Sequence, residues 1–214
     1  MKRFPDTKIG WLRAGSLIAV PLVYFYLLPF FSYIQYSPKQ GDIIFQSLPK
    51  LSRLVRAIEG VTGSPFSHCG VVINREGKWY VIEANGDVHD TPLFRFIQQG
   101  RWGRFCVYRL KSVYSSSIPR FIAGLNGYRG RLYDYRFKLD DDLLYCSELV
   151  YMAYRKAAGI ELGRLVTLGS LNWQPYVNTI TAYEQGPPPL DRLIITPKNL
   201  SQAEQLELVF NYGY

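Results

Sequence analysis

The sequence predicts a folded domain of mixed helix and paired strand set behind a membrane-spanning segment, and three of its features carry that expectation. A long uncharged run follows Arg13, two strand-like runs meet around His68 and Glu83, and an amphipathic helix starts near Cys146 and stops at Gly159. At 214 residues the chain has room for one domain with a substantial apolar core. A hydrophobic content of 48% with 17 tyrosines excludes a disordered chain, because those rings would otherwise face water.

The run from Trp11 to Ile34, WLRAGSLIAVPLVYFYLLPFFSYI, is uncharged after Arg13 and long enough to cross a bilayer as a helix. Pro21 and Pro29 are tolerable in such a span, and Phe30, Phe31, Tyr33 and Tyr36 suit its interfacial end. A buried core helix or a cleaved signal peptide are the alternatives. A signal peptide should close on small residues, whereas this run closes on FFSYIQYS. The expected organisation is therefore an anchor with its flanks over 1–37 and a folded domain over 38–214, joined through SPKQG. Lys2, Arg3, Lys8 and Arg13 before the span weakly favour a cytoplasmic N-terminus, which places the domain on the extracytoplasmic side of a single-pass membrane protein.

Within the domain, GDIIFQ from Gly41 reads as a first strand and LSRLVRAIEGVTG as a helix closed by glycine. SHCGVVI and KWYVIEA then read as a hairpin around NREG. Successive strand residues point to opposite faces, so His68 and the adjacent Cys69 do not form a dyad. With Asn74 to Gly77 as a four-residue loop, Ile73 faces Lys78 and His68 faces Glu83, close enough for a carboxylate to accept from the imidazole. An exposed ion pair is the competing reading of those two residues.

Of the three cysteines, Cys106 lies in FCVYRL and reads as a packed core thiol. Cys146 lies in the first turn of YCSELVYMAYRKAAG, where unpaired N–H groups and the positive helix end favour a thiolate. Three well-separated cysteines do not make a disulfide framework or a C-x-x-C zinc module, and no metal or other cofactor is expected. The net charge of +8 is scattered and comes with no nucleic-acid readout motif, so no nucleic-acid partner is expected. A helix-N-terminal cysteine, a strand histidine and an orienting carboxylate follow the logic of a cysteine hydrolase triad: Cys146 as nucleophile, His68 as base, Glu83 holding the ring.

In this order, GDIIF, SHCGVV, VIEA, YDYRF and YCSELVYMAY resemble the permuted papain-like cysteine hydrolases of the YiiX/YebB-like kind, relatives of the NlpC peptidases. The resemblance runs from about Gly41 to about Ala158, with CSELV its most specific match. It implies an α+β, circularly permuted papain-like (NlpC-type) domain whose antiparallel sheet carries His68 and Glu83 against the helix of Cys146. It also implies the same three catalytic roles, and a contribution of Tyr133 to the oxyanion site. Beyond Gly159 the resemblance fades into a loop-rich segment whose Trp173, Tyr176 and Tyr183 read as core aromatics, with a substrate-lining role as the alternative. The expected activity is cleavage of an amide in a peptide, lipid or cell-wall-derived molecule through an acyl-thioester on Cys146. A noncatalytic binding module of the same fold and a lipid acyltransferase are the rivals.

Overall fold

The structure, a computed structural model, describes residues 23–140 and 142–214. The first half of the predicted span, 11–22, therefore lies outside the described residues. Its end forms a π-helical turn, Val23–Leu27, that runs into helix α1, Leu28–Gln35, with Pro29 in the first turn where its missing N–H costs nothing. One side of α1 is docked. Ser32 and Tyr36 are buried, and the Tyr36 hydroxyl donates to Asp42 Oδ2 at 2.6 Å. Asp42 also accepts two bonds from the Arg109 guanidinium, at 2.6 and 2.8 Å, so the join between α1 and the chain that follows it is a closed polar knot. The other side of α1, continued by the turn before it, exposes Tyr26, Leu27, Phe30, Phe31 and Ile34 in a helical stripe. Among the described residues no helix is long and apolar enough to cross a membrane.

The centre of the fold is a six-stranded antiparallel sheet. Its strands are β1 (Ile43–Gln46), β2 (His68–Arg75), β3 (Lys78–Asn85), β4 (Asp87–Pro92), β5 (Phe105–Leu110) and β8 (Leu206–Tyr212), in the order β4-β3-β2-β1-β5-β8. Helix α2, Arg53–Thr62, bridges β1 and β2; its N-cap Ser52 accepts from Leu54 N, and Gly63 closes it at φ +58°. Helix α3, Leu93–Gln99, covers one sheet face. Ile44, Val72, Val81, Phe96 and Phe105 fill that layer. On the other face Phe45, Cys69, Val71 and Ile82 pack against helix α4, Ile118–Asn126, and helix α5, Cys146–Ala158. The predicted bounds of α5 hold, with Gly159 as its left-handed cap at φ +72°.

The late segment carries a two-stranded sheet of β6 (Val166–Thr167) and β7 (Leu193–Ile194), the short helix α6, Val177–Glu184, and helix α7, Pro197–Ser201. The three aromatics expected in the core are not there. Trp173, Tyr176 and Tyr183 are each only half-buried, because α6 rests on the surface of α2 and buries no residue fully.

The β2–β3 hairpin differs from expectation by two residues. Arg75 pairs with Lys78 around a two-residue turn, Glu76 and Gly77, both at positive φ (51° and 81°) as a type I′ turn requires. Glu83 therefore faces Gly70, and His68 faces Gln46 of β1. An even slip keeps every side chain on its expected face, so His68 and Glu83 become diagonal neighbours. Gly70 makes the diagonal possible. A Cβ there would lie 2.4 Å from Val81 Cγ1 and 2.8 Å from the Ile82 carbonyl oxygen, and 3.3 Å from Glu83 Cβ. Without it, Glu83 can lean across to the ring. Gly70→Ala should therefore lower stability by roughly 1–3 kcal/mol, the usual cost of overpacking, read as a lower urea midpoint at unchanged slope. An unchanged midpoint would contradict this account of the glycine.

Candidate active site

Cys146 is the first residue of α5, only 2% exposed, and follows the extended N-cap Tyr145. The first-turn N–H groups have no helical acceptor and present a positive end to the sulfur. A carboxylate in the same turn, Glu148, would oppose that effect. Burial, with Asp134 and Asp140 nearby, pushes the Glu148 pKa up to about 9, so at neutral pH it is an uncharged acid and leaves the helix terminus to the thiolate.

His68 begins β2 at the end of the strand, with its ring stacked on Phe96 at 5.5 Å. Its Nε2 lies 2.5 Å from Glu83 Oε2, and Glu83 is fully buried. Since Nε2 is taken, Nδ1 is the nitrogen left for the hydrogen bond that His68 makes with Cys146. Burial works against a charged ring, yet the hydrogen bonds to Cys146 and Glu83, together with their charges, outweigh it and push the His68 pKa up to about 10. Burial likewise opposes the Glu83 carboxylate, and its bonds to His68, Thr91 and Gln99 hold its pKa below the ordinary value. Gln99 Nε2 donates to the second oxygen, Oε1, at 3.3 Å.

The structure thus brings Cys146, His68 and Glu83 together, and it adds a residue that sequence reasoning set aside. Strand alternation turns Cys69 away from the His68 face and toward α5, where it lies against Cys146. The hydrogen bond from the Cys69 thiol is the largest influence lowering the Cys146 pKa. Burial opposes it, and the hydrogen bond and charge of His68 add to it, leaving Cys146 well below the usual thiol range. Cys69 is held protonated by burial and by its thiolate neighbour. Burial also raises the Cys106 pKa, to about 12.

Tyr133 is fixed by its backbone N–H donating to Gly86 O at 2.8 Å. Burial and the nearby Cys146 charge raise its pKa, so it stays a phenol able to donate beside the sulfur. His89 lies elsewhere in the hydrogen-bond network, its Nδ1 2.8 Å from Asp87 Oδ1 on a half-exposed strand. Thr91, Gln99 and Cys69 carry no local sequence signal for a site. They become visible only once the register of β2, β3 and β4 is known.

A family model described as permuted papain-like amidase enzymes, YaeF/YiiX, matches residues 37–210. The chain belongs to this family. An uncharacterized protein, YiiX of Escherichia coli, is 33% identical over 177 residues, which cover 81% of this chain and 87% of that protein. The crystal structure of YiiX from Escherichia coli, described as a metalloprotein, matches with a TM-score of 0.76 at 32% identity, covering 83% of this chain and 99% of the other. The mixed helix and antiparallel-sheet fold is that of the permuted papain-like family. Among the described residues no group of three or more His, Cys, Asp or Glu side chains could hold a metal ion. Around Cys146 the donors are a thiol and a ring N–H, which form a hydrogen-bonding set and not a coordination shell.

Iodoacetamide should modify Cys146 before Cys69 or Cys106 near neutral pH, well under the ordinary thiol pKa of about 8.5. Cys69→Val removes the donor and should slow that reaction; Cys69→Ser retains a donor and should restore it. Equal rates at the three thiols would remove the nucleophile assignment, and equal behaviour of the two Cys69 variants would remove the donor role.

Proposed function

We propose that this member of the permuted papain-like amidase family is a cysteine hydrolase of the amidase or peptidase type, working through an acyl-thioester on Cys146. The observation that carries the reading is the buried chain Glu83–His68–Cys146, with its 2.5 Å carboxylate–imidazole bond and its sulfur at a helix N-terminus. The thiolate attacks the carbonyl carbon of the substrate, forming an S–C bond and a tetrahedral oxyanion. The oxyanion accepts from first-turn N–H groups of α5 and from the Tyr133 hydroxyl. Protonated His68 gives its Nδ1 proton to the leaving amine as the C–N bond breaks. Neutral His68 then takes a proton from water, whose oxygen attacks the thioester; the C–S bond breaks, and acid and thiolate are regenerated. Glu83 stays ionised throughout and holds the ring and its charge.

The chain itself is proposed to sit in a membrane through its N-terminal segment, with the domain outside the cytoplasm. The uncharged run supports this, as does the apolar stripe of α1, which remains exposed although the helix is docked on the domain. Carbonate extraction should leave the full-length protein in the membrane fraction, and external protease should reach the domain in spheroplasts. Release of a shortened soluble form would contradict the anchor, and protection would reverse the orientation.

For the triad, Glu83→Gln should keep the fold and the thiol but lower turnover of an acyl ester or amide by roughly 10² to 10⁴, less than Cys146→Ala does. Unaltered turnover in Glu83→Gln would remove the carboxylate from the mechanism.

A further inference from the structure

Helix α1 is not a loose tether. Besides the bonds of Tyr36 and Arg109 to Asp42, ring contacts fix it to the domain at both ends. Tyr33 meets Phe94 of α3 edge to face at 5.5 Å, and Tyr36 packs on Phe105 and Phe210 at 5.6 and 5.3 Å. In the turn before α1, Tyr24 meets Trp102 at 4.6 Å. The turn that carries Trp102, Arg101–Gly103, lies against the helix backbone itself: a Cβ on Gly103 would stand 2.7 Å from Pro29 Cα and N. A side chain there would push helix and domain apart.

Trp102 is unusual in two ways. Its backbone sits at φ 61°, a conformation that bulky residues rarely adopt, and its indole, a large apolar group, is 46% exposed. The ring is held out beside the exposed stripe of α1 and carries that stripe onto the domain. Arg95, next to Phe94, and Arg104, next to Gly103, are exposed, and among the described residues neither pairs with a carboxylate.

We propose that the folded domain itself docks on a lipid bilayer, through the exposed side of α1, the turn before it and Trp102. The inference rests on the membrane reading above and adds to the N-terminal segment a second contact, made by the domain. A helix with a polar domain along one side is not surrounded by lipid, so α1 lies along the membrane surface, and the run before Val23 is left to enter the hydrocarbon core. Phe30, Phe31 and Ile34 then face the acyl chains. The Trp102 indole sits in the headgroup layer, its ring against lipid and its N–H free to donate to ester or phosphate oxygens. Arg95 and Arg104 flank it with the charge that anionic headgroups attract. The stripe is continuous with the uncharged run that precedes it, which favours lipid over a second copy of the chain as the occupant.

The test uses the full-length protein reconstituted in vesicles of phosphatidylcholine and phosphatidylglycerol, with lipid brominated near the headgroup end of its acyl chains as the probe. Bromine quenches tryptophan on contact, and comparison with Trp102→Phe separates this ring from Trp11, Trp79 and Trp173. The substitution keeps an aromatic ring at an exposed position and should leave the fold intact. Trp102 emission should fall at least about twofold, as an indole at interfacial depth requires. The same vesicles are then washed with carbonate. Unquenched Trp102 in protein that resists carbonate overturns the domain contact and leaves the anchor standing. Quenched Trp102 in protein that carbonate strips off upholds the domain contact and overturns the anchor. Protein that neither floats with vesicles nor is quenched overturns both. Trp102 that is unquenched by brominated lipid but shielded from acrylamide in a cross-linked dimer gives the surface to a second copy and overturns the proposal.

Discussion

A carboxylate with no exposure to water is stable only if something replaces the water it lost, and Glu83 has found that replacement in the ring of His68 at 2.5 Å. Much of the site follows from that pairing. It occupies Nε2, so Nδ1 faces the sulfur; together with the bond to Cys146 it holds the imidazole charged against burial, and the neighbouring thiol loses its proton. Breaking such a buried pair by removing one partner costs about 3–5 kcal/mol in general. The three strands that carry and buttress it are correspondingly constrained. Gly70 must lack a side chain, Thr91 of β4 must reach the carboxylate, and Gln99 at the end of α3 must cover its second oxygen.

The charge on the other side of the dyad is arranged by subtraction as much as by attraction. The helix terminus at Cys146 carries a glutamate, yet that residue is kept neutral by burial and by two nearby aspartates. Cys69 contributes a thiol proton and no charge. The sulfur therefore has donors around it and no competing anion in its own turn, which is how a fully enclosed thiolate can persist beside an apolar cleft.

How much of this could be read from the sequence depends on whether each feature is local. The helix from Cys146 to Gly159 was legible at both ends because its signals, an amphipathic pattern and a closing glycine, lie in the helix itself. The pairing of His68 with Glu83 was legible by face but not by register. The segment NREG accepts either a four- or a two-residue turn, and the choice places Glu76, a residue with a Cβ, at positive φ. Strand β4 was missed because DVHDTP has no apolar alternation; it is ordered by its pairing with β3. The role of Cys69 was missed for a different reason. Alternation says which residues share a face, but not which face the nucleophile's helix will cover.

The most direct measurement of the central claim is nitrogen NMR of isotopically labelled histidine in the full-length protein near pH 8, with His89→Asn to assign the two rings. The account predicts that His68 is doubly protonated there, about one and a half units above the ordinary histidine pKa of about 6.5, and that it loses this charge when Cys146 is changed to alanine. A neutral His68 ring near pH 8 in the unmodified protein would contradict the thiolate–imidazolium pair on which the mechanism stands.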